Sequence, residues 1–275
     1  MTSESDLSAE QPDWLPPDVD VSRPNAARVY DVYLGGAHNF QIDREFAKRA
    51  KDLLPEVIAM ARMNRAFLQR AVRELTRAGI DQFLDLGSGI PTVGNVHEIA
   101  QRINPEAKVV YVDNEAVAVA HSALILEGNP RAGVVQADVR EPDQVLTAEV
   151  TRKLLDFSRP VAVIMCTIIH FVPDSDDPAG VVGAYRDAVA PGSYLALSHA
   201  TSYSRQDVES VRAAYSQTAN PVTARTKPQI ERFFDGYELL EPGLVFTQQW
   251  RPDHPSDVGD DPENSGLYAG VGRKL

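Results

Sequence analysis

The strongest indication of the fold is the run Phe83-Leu84-Asp85-Leu86-Gly87-Ser88-Gly89-Ile90-Pro91-Thr92, which is typical of a buried strand that ends in a glycine turn. The next helix is expected to begin at Asn95, because Asn95 and Glu98 have the spacing of a helix-capping pair. In this context, glycines at 87 and 89 allow the backbone to approach a ligand closely. The alternative is a plain strand-to-helix turn, because two glycines alone are a weak signal.

The glycine turn departs from the fingerprint of dinucleotide-binding proteins. That fingerprint contains a third glycine, which lets helix and strand pack tightly around a pyrophosphate. Position 92 is Thr instead. The missing third glycine is therefore evidence against NAD or FAD as the ligand.

Acidic residues follow the next two apolar runs at the same relative position. The run at 108–112 is followed by Asp113, and the run at 133–137 is followed by Asp138. Either residue could simply begin the following helix, where Asp is common. Because the carboxyl ends of parallel strands meet at one edge of a sheet, Asp85, Asp113 and Asp138 are expected to converge on one crevice. Asp113 is placed there to accept the hydrogen bonds of a ribose diol.

Short apolar runs alternate with helix-like stretches from position 82 onward. The runs occupy 83–86, 109–112, 133–137, 161–166 and 194–198. This alternation predicts an α/β fold with a parallel sheet covered on both faces. Two last strands are expected at 237–240 and 244–250, paired as an antiparallel hairpin across Pro242-Gly243.

The chain divides into three predicted parts. Residues 1–22 are acidic and contain prolines, and we expect a mobile leader there. Residues 23–80 have helical periodicity in three pieces, interrupted at Gly35-Gly36 and at Pro55, and form a predicted helical cap. Residues 81–275 form the predicted core with a C-terminal tail.

Composition restricts the compartment and the partners. The 275 residues carry 39 acidic and 27 basic side chains, and the net charge of −12 without a basic stripe disfavours a nucleic acid partner. The single cysteine, Cys166, excludes an intramolecular disulfide and is typical of a reducing compartment. Because neither a secretory signal nor a membrane-length apolar run is visible, we expect a cytoplasmic protein without a membrane partner.

Successive motifs resemble those of class I S-adenosylmethionine-dependent methyltransferases. They are DLGSG at 85–89, YVDNE at 111–115, QADVREP at 136–142, VIMCTIIHFVPD at 163–174 and APGSYLALSH at 190–199. More narrowly, RVYDVYLGGAHNFQIDRE at 28–45, MNRAFLQRAV at 63–72 and YAGVGRK at 268–274 resemble an actinobacterial S-adenosyl methyltransferase family formerly catalogued as a domain of unknown function. The resemblance implies a Rossmann-like, doubly wound, seven-stranded, mostly parallel sheet of order 3-2-1-4-5-7-6 with a helical N-terminal cap.

The resemblance also implies a set of contacts to S-adenosylmethionine. Asp85 would hold the methionine ammonium, Asp113 would take the ribose hydroxyls, and Asp138 would accept from the adenine amino group. The complete implied set is Asp85, Gly87, Ser88, Gly89, Asp113, Asn114, Asp138, Val139 and Thr167. An Asn/Asp-Pro-Pro-aromatic motif does not follow the fourth strand, which speaks against amino methylation of a nucleobase or glutamine.

The helical cap contributes further candidates. On the helix predicted from 56 to 77, Arg65 lies at the edge of the apolar stripe and could reach the cofactor carboxylate, and Asn64 lies inside the stripe. Alternatively, Arg65 is exposed to solvent and Asn64 makes a structural hydrogen bond. The glycine-hinged loop with Tyr33 and Asn39 suits a lid over a substrate. Alternatively, its glycines end a helix and its tyrosines pack.

His170 follows the fourth strand and His199 follows the fifth, so either is a candidate general base. The alternative for both is a loop histidine that is hydrogen-bonded to the backbone. The six histidines show no pair at the spacing of metal ligands, and we expect no metal site.

The expected function is therefore methyl transfer from S-adenosylmethionine to an O, N or C atom of a small molecule. One alternative is an NAD-dependent oxidoreductase, against which Thr92 and the segment 136–142 speak. A second is a non-catalytic regulatory protein that binds S-adenosylmethionine, because no unmistakable base is visible. The sequence does not indicate the oligomeric state.

Overall fold

The computed structural model describes residues 20–91, 94–201, 210, 213–216, 218 and 220–275. Residues 1–19 of the predicted leader over 1–22 lie outside the described residues, and so does Thr92. The described helices of more than one turn are α1 (Ala26–Leu34), α2 (Gln41–Leu53), α3 (Val57–Arg77), α4 (Val96–Ile103), α5 (Ala116–Ile125), α6 (Pro142–Thr147), α7 (Glu149–Leu154), α8 (Pro178–Ala188) and α9 (Lys227–Glu231). The described strands are β1 (Gln82–Leu86), β2 (Lys108–Asp113), β3 (Ala132–Gln136), β4 (Ala162–Cys166), β5 (Tyr194–Ala200), β6 (Tyr237–Leu239), β7 (Val245–Phe246) and β8 (Leu267–Lys274).

The strands form one sheet in the order β3-β2-β1-β4-β5-β8-β6, and the two-residue strand β7 pairs with β8. Strands β1 to β5 are mutually parallel, whereas β8 is antiparallel to β5, β6 and β7. This sheet confirms the predicted Rossmann-like α/β fold, and β8 takes the place of the seventh strand in the predicted order.

The predicted closing hairpin between residues 237–240 and 244–250 is wrong. The strands β6 and β7 each pair with β8, and residues 247–249 form a turn of 3-10 helix. Strand β8 is the C-terminal segment that the sequence pattern assigned to the tail. Its ladder with β5 is long, from Tyr194 opposite Arg273 to Ala200 opposite Leu267, and this pairing places β8 between β5 and β6.

The two faces of the sheet are buried in two hydrophobic clusters. On β1, Leu84 belongs to the cluster that contains Tyr185 of α8, whereas its neighbour Phe83 belongs to the cluster that contains Phe67 and Leu75 of α3. Alternation of this kind is expected for a strand covered on both sides. Helix α3 therefore packs directly on the sheet.

The helices α1 and α2 pack with the start of α3 in a third cluster. Arg28 of α1 is only 1% exposed, and its guanidinium donates to Asp43 of α2 over 2.9 Å and to Glu115 over 3.0 Å. Because Glu115 lies just beyond β2, this buried ion pair fixes α1 above the carboxyl end of the sheet. The division into a cap over 23–80 and a core over 81–275 stays a prediction. None of the described helices is long and apolar enough to cross a membrane.

Candidate active site

The carboxyl ends of β1, β2, β4 and β5 open into one cavity of about 230 Å³, which α1 and the first half of α3 cover. Ten of the predicted site residues line this cavity. They are Tyr33, Arg65, Asp85, Gly87, Ser88, Gly89, Asp113, Asn114, Thr167 and His170. The other four, Asn39, Asp138, Val139 and His199, lie outside its lining.

The glycine turn after β1 folds back over the end of β2. The Gly87 N–H donates to the Val112 carbonyl over 2.8 Å, and the Gly89 N–H donates to Oδ2 of Asp113 over 2.7 Å. Both glycines have positive φ, 68° and 67°. A Cβ at Gly87 would overlap the side chain of Ile168, whereas a Cβ at Gly89 would meet nothing within 4 Å. The turn is therefore closely packed at Gly87 and presents bare backbone to open space at Gly89.

Asp113 holds this turn in place. Its Oδ2 accepts from Gly89, and its Oδ1 accepts the Glu115 N–H over 2.9 Å, so it also orders the entry to α5. Burial raises the pKa of this carboxyl to about 6, against the opposing effect of the two backbone donors. Asp113 therefore helps to begin the helix α5, which was the alternative to a ligand role, and Asp113 also lines the cavity.

Asp85 is a buried carboxylate without a hydrogen-bond partner among the described residues. It is 5% exposed and lies at the base of the cavity. Burial raises its pKa to about 7; nearby Arg65 lowers the pKa, and Asp113 raises it further. Such a group is strongly stabilised by a cation that enters the cavity.

Two polar atoms beside Asp85 also have no hydrogen-bond partner among the described residues. Arg65 donates from Nη2 to Oδ1 of Asn95 over 2.9 Å, but its Nε is buried and unpaired. The hydroxyl of Ser88 is buried and unpaired as well. Buried polar groups are normally satisfied. This corner of the cavity therefore fits a ligand that carries both a cationic and an anionic group, as an amino acid does.

Asn64 has the structural role that the sequence analysis left open. Its amide nitrogen donates to the Tyr30 hydroxyl over 3.0 Å and to Oγ1 of Thr167 over 3.3 Å. Its Oδ1 accepts from the Ser198 hydroxyl over 2.6 Å. Thr167 has a φ of 56°, unusual for a β-branched residue, and the bond from Asn64 supports this strained position at the end of β4.

Asp138 lies at the rim of the site. Its carboxylate pairs with Arg140, whose Nη2 is 2.7 Å from Oδ2, and these hydrogen bonds lower its pKa. The amide of Asn114, which lines the cavity, is 3.5 Å from the same carboxylate. Asp138 is thus close to the cavity lining and is already partnered.

The two candidate bases differ in accessibility. His199 is completely buried, with Nδ1 2.8 Å from the Ala200 carbonyl and Nε2 2.9 Å from Nη1 of Arg225. Since Nδ1 must donate to the carbonyl and Nε2 must accept from the arginine, both ring nitrogens are used. Burial lowers the pKa of His199 to about 3. In this geometry neither ring nitrogen of His199 is free to take a proton from a substrate, and the residue lies outside the cavity lining.

His170 does line the cavity. Its Nδ1 accepts the Ala200 N–H over 3.4 Å, so the neutral ring carries its proton on Nε2. Burial, together with His199 and Arg225, lowers the pKa of His170 well below the ordinary value. At neutral pH this ring can donate a hydrogen bond from Nε2 but is a poor proton acceptor.

Of the two residues assigned to the substrate lid, Tyr33 lies in the cavity lining and Asn39 does not. The Tyr33 hydroxyl is 3.3 Å from the hydroxyl of Tyr215. The amide of Asn39 is instead used within the loop, where it donates to Asp31 over 2.8 Å and to the Gly36 carbonyl over 3.1 Å. Asn39 therefore orders the loop between α1 and α2.

Arg225 is a buried residue of the site that the sequence did not reveal. Besides His199, it donates to the carbonyls of Ile169 and Val172 and pairs with Asp174 over 2.6 Å. These bonds fix the 3-10 turn Ile169–Phe171, which carries His170. An isolated arginine in a loop has no local pattern that would predict such a role. Among the described residues, no group of three His, Cys, Asp or Glu side chains is arranged to hold a metal ion.

Comparisons with known proteins agree with this arrangement. Residues 12–275 match the sequence profile of the S-adenosyl methyltransferase family. A crystal structure from Thermobifida fusca YX, named provisionally as a methyltransferase, is 43% identical, with 95% of this chain and 98% of that chain covered and a TM-score of 0.89. A DUF574 family protein from Streptomyces avermitilis MA-4680 is 39% identical, with 93% and 99% covered and a TM-score of 0.89.

A more distant structure, an O-methyltransferase family protein from Burkholderia thailandensis, shares the fold with 12% identity, 84% and 70% coverage and a TM-score of 0.53. A search among curated proteins gave no match. The family profile covers nearly the whole chain, and the 43% identity to the T. fusca protein is high enough to indicate that the two proteins share a family. The chain therefore belongs to the S-adenosyl methyltransferase family and is an S-adenosylmethionine-dependent methyltransferase.

Proposed function

We propose that the protein transfers a methyl group from S-adenosylmethionine to a small molecule bound in the same cavity. The observation that carries this proposal is the pair of buried, unsatisfied polar atoms on Arg65 and Ser88, next to the buried carboxylate of Asp85, at one end of a cavity that continues under α1. A cavity with a polar end for the cofactor and further room beside it suits a two-substrate reaction.

The cofactor contacts follow from the chemistry of these groups. The carboxylate of Asp85 would hold the methionine ammonium, and Nε of Arg65 and the Ser88 hydroxyl would donate to the methionine carboxylate. The bare backbone at Gly89 would approach the same part of the cofactor, in a turn whose packing at Gly87 leaves no room for a side chain. The remaining members of the proposed set are Asp113 for the ribose, Asn114, Asp138 and Val139 for the adenine, and Thr167 near the methionine end.

The cofactor brings an activated methyl group on a sulfonium, so the chain's own residues act mainly by binding and orientation. The ion pair of Arg28 with Asp43 and Glu115 holds α1 over the cavity. His170 would orient the acceptor by donating from Nε2. Tyr33 would contact the acceptor from the roof.

Calorimetric titration with S-adenosylmethionine and with NAD tests the proposed function. We expect binding of S-adenosylmethionine in a 1:1 complex and no heat with NAD, followed by release of S-adenosylhomocysteine when a panel of small acceptors is added. Binding of NAD alone would support an oxidoreductase. Tight binding of S-adenosylmethionine without turnover on any acceptor would favour the regulatory alternative.

The Arg65→Ala variant tests the cofactor end of the cavity. We expect it to bind S-adenosylmethionine at least about tenfold more weakly, because a charge-assisted hydrogen bond contributes roughly 1.5–3 kcal/mol. Arg62→Ala is the matched control, since Arg62 is exposed on the same helix and lies outside the cavity lining. Equal affinities of the two variants would remove Arg65 from the proposed contacts.

A further inference from the structure

The part of the cavity beneath the helical cap differs in chemistry from the cofactor end. We call it the cap compartment and define it by Tyr30, Tyr33, Leu54, Val57, Met60 and Tyr215, all of which line the cavity. These residues belong to the hydrophobic cluster shared by α1, α2 and the start of α3. The compartment is thus built from the cap's own apolar core together with Tyr215.

Each tyrosine hydroxyl of the compartment has a hydrogen-bond partner in the protein. The Tyr30 hydroxyl donates to the Ala61 carbonyl over 2.9 Å and accepts from the Asn64 amide. The hydroxyls of Tyr33 and Tyr215 are paired at 3.3 Å. Tyr215 is also held by an edge-to-face contact with Phe46, with ring centroids 5.0 Å apart. A ligand in this compartment therefore meets ring faces and aliphatic groups.

Within the described lining of the cavity, the charged side chains lie at the other end. Among the described residues that line the cavity, the Asp, Glu, Lys and Arg side chains are Arg65, Asp85 and Asp113. Asp85 interacts electrostatically with both of the others, which places the three together around the glycine turn. A charged acceptor in the cap compartment would therefore be buried without a counter-ion from the described residues, which is costly.

We infer that the cap compartment binds the methyl acceptor and selects an uncharged, mainly apolar molecule with an aromatic or alicyclic body. This inference rests on the proposed function and adds the chemical class of the acceptor. The tyrosine rings supply flat apolar surfaces, and Met60 supplies a flexible one that adapts to ring shape. The only orienting polar group that we assign to the acceptor is Nε2 of His170.

A matched ligand series tests this inference on the protein saturated with S-adenosylhomocysteine, in which no methyl transfer takes place. The probes are 2-naphthol, 2-naphthoate and 2-naphthylmethylammonium, which share one ring system and are neutral, anionic and cationic at pH 7. Affinities are measured by calorimetry. We expect 2-naphthol to bind at least about tenfold more tightly than either ion, because only the ions must bury an unpaired charge. Binding of either ion as tightly as 2-naphthol would overturn the inference.

Variants at two methionines of α3 locate the binding site. Met60→Lys places a cation in the cap compartment and should weaken 2-naphthol binding at least tenfold while improving 2-naphthoate relative to it. Met63→Lys is the control, because Met63 lies on the same helix but outside the cavity lining. Equal effects of the two variants would overturn the inference. If Met60→Lys does not fold, the ligand series on the unaltered protein decides alone.

Titration with S-adenosylhomocysteine before each experiment separates the two hypotheses. If the cofactor product does not bind, the proposed function fails. If it binds and the probes show no preference for the neutral member, only the inference about the acceptor fails.

Discussion

The Asp113→Ala variant is expected to bind S-adenosylmethionine about 100-fold more weakly than the unaltered protein. Asp113 accepts from the Gly89 and Glu115 amides, and its loss leaves both donors unpaired in the ligand-free turn. Without them the variant has to order the turn when the ligand binds, and the cost of about 3 kcal/mol, for two charge-assisted hydrogen bonds of about 1.5 kcal/mol each, corresponds to roughly 100-fold in affinity. Loss of the proposed ribose contact adds to this effect. Isothermal titration calorimetry measures it directly.

An aspartate at the amino end of β1, opposite the end that opens into the cavity, provides the control. Asp81 precedes β1 and pairs with Arg159 over 2.6 Å, away from the cavity lining. Asp81→Ala should therefore leave the affinity for S-adenosylmethionine unchanged. Asp113→Asn should give an intermediate loss, since its amide oxygen can accept one of the two backbone hydrogen bonds. An Asp113→Ala variant that is folded and binds normally would contradict the role of this carboxylate.

The fold was predictable where the sequence signal is local. The signals for the first five strands, the glycine turn and the helix breaks at Gly35 and Pro55 each come from neighbouring residues. The structure has the five strands at the predicted positions and a helix on either side of each break. Strand β8 was missed because its glycines disfavour a strand by local propensity. A Cβ at Gly272 would lie 2.8 Å from the Cβ of Tyr237, so the glycine is required by a contact distant in sequence.

The site was predictable to a similar extent. Two of the three strand-end carboxylates, Asp85 and Asp113, line one cavity with the glycine turn because parallel strands impose a common edge, whereas Asp138 lies outside the lining. By contrast, the burial of His199 depends on Arg225, and the partner of the Tyr33 hydroxyl is Tyr215. Contacts of this kind join segments that have no pattern in common, so the sequence could not separate an accessible histidine from a buried one.

The affinity for S-adenosylmethionine should depend on pH through Asp85. Because burial raises the pKa of this carboxyl to about 7, it is largely protonated below pH 7 in the ligand-free protein. A bound ammonium requires the ionised form, so binding must then release a proton. The affinity should fall about tenfold for each pH unit below 7, or about 30-fold between pH 8 and pH 5.5 from Asp85 alone. Asp113, with a pKa of about 6, should steepen the loss below pH 6.

Asp85→Asn separates this effect from other titrations. The variant should bind weakly at every pH and show almost no change in affinity between pH 8 and pH 6.5. Calorimetry in two buffers of different ionisation enthalpy should detect proton release near pH 6.5 for the unaltered protein and none for Asp85→Asn. The same slope in both proteins would show that another group titrates.

The stability of the ligand-free protein should respond to Asp85 in the opposite direction. Its folded pKa of about 7 lies above the ordinary value of 3.8, so the folded state holds more protons than the unfolded state between these two values. The contribution of Asp85 to the free energy of unfolding is therefore fully present below pH 4 and is lost as the pH rises through 7. Asp85→Asn removes this loss and should raise the melting temperature at pH 8 relative to the unaltered protein, although it weakens cofactor binding. A lower melting temperature of Asp85→Asn at pH 8 would mean that the Asp85 carboxylate has a stabilising partner within the protein. Asp85 would then be a structural group and not a binding group for a cation.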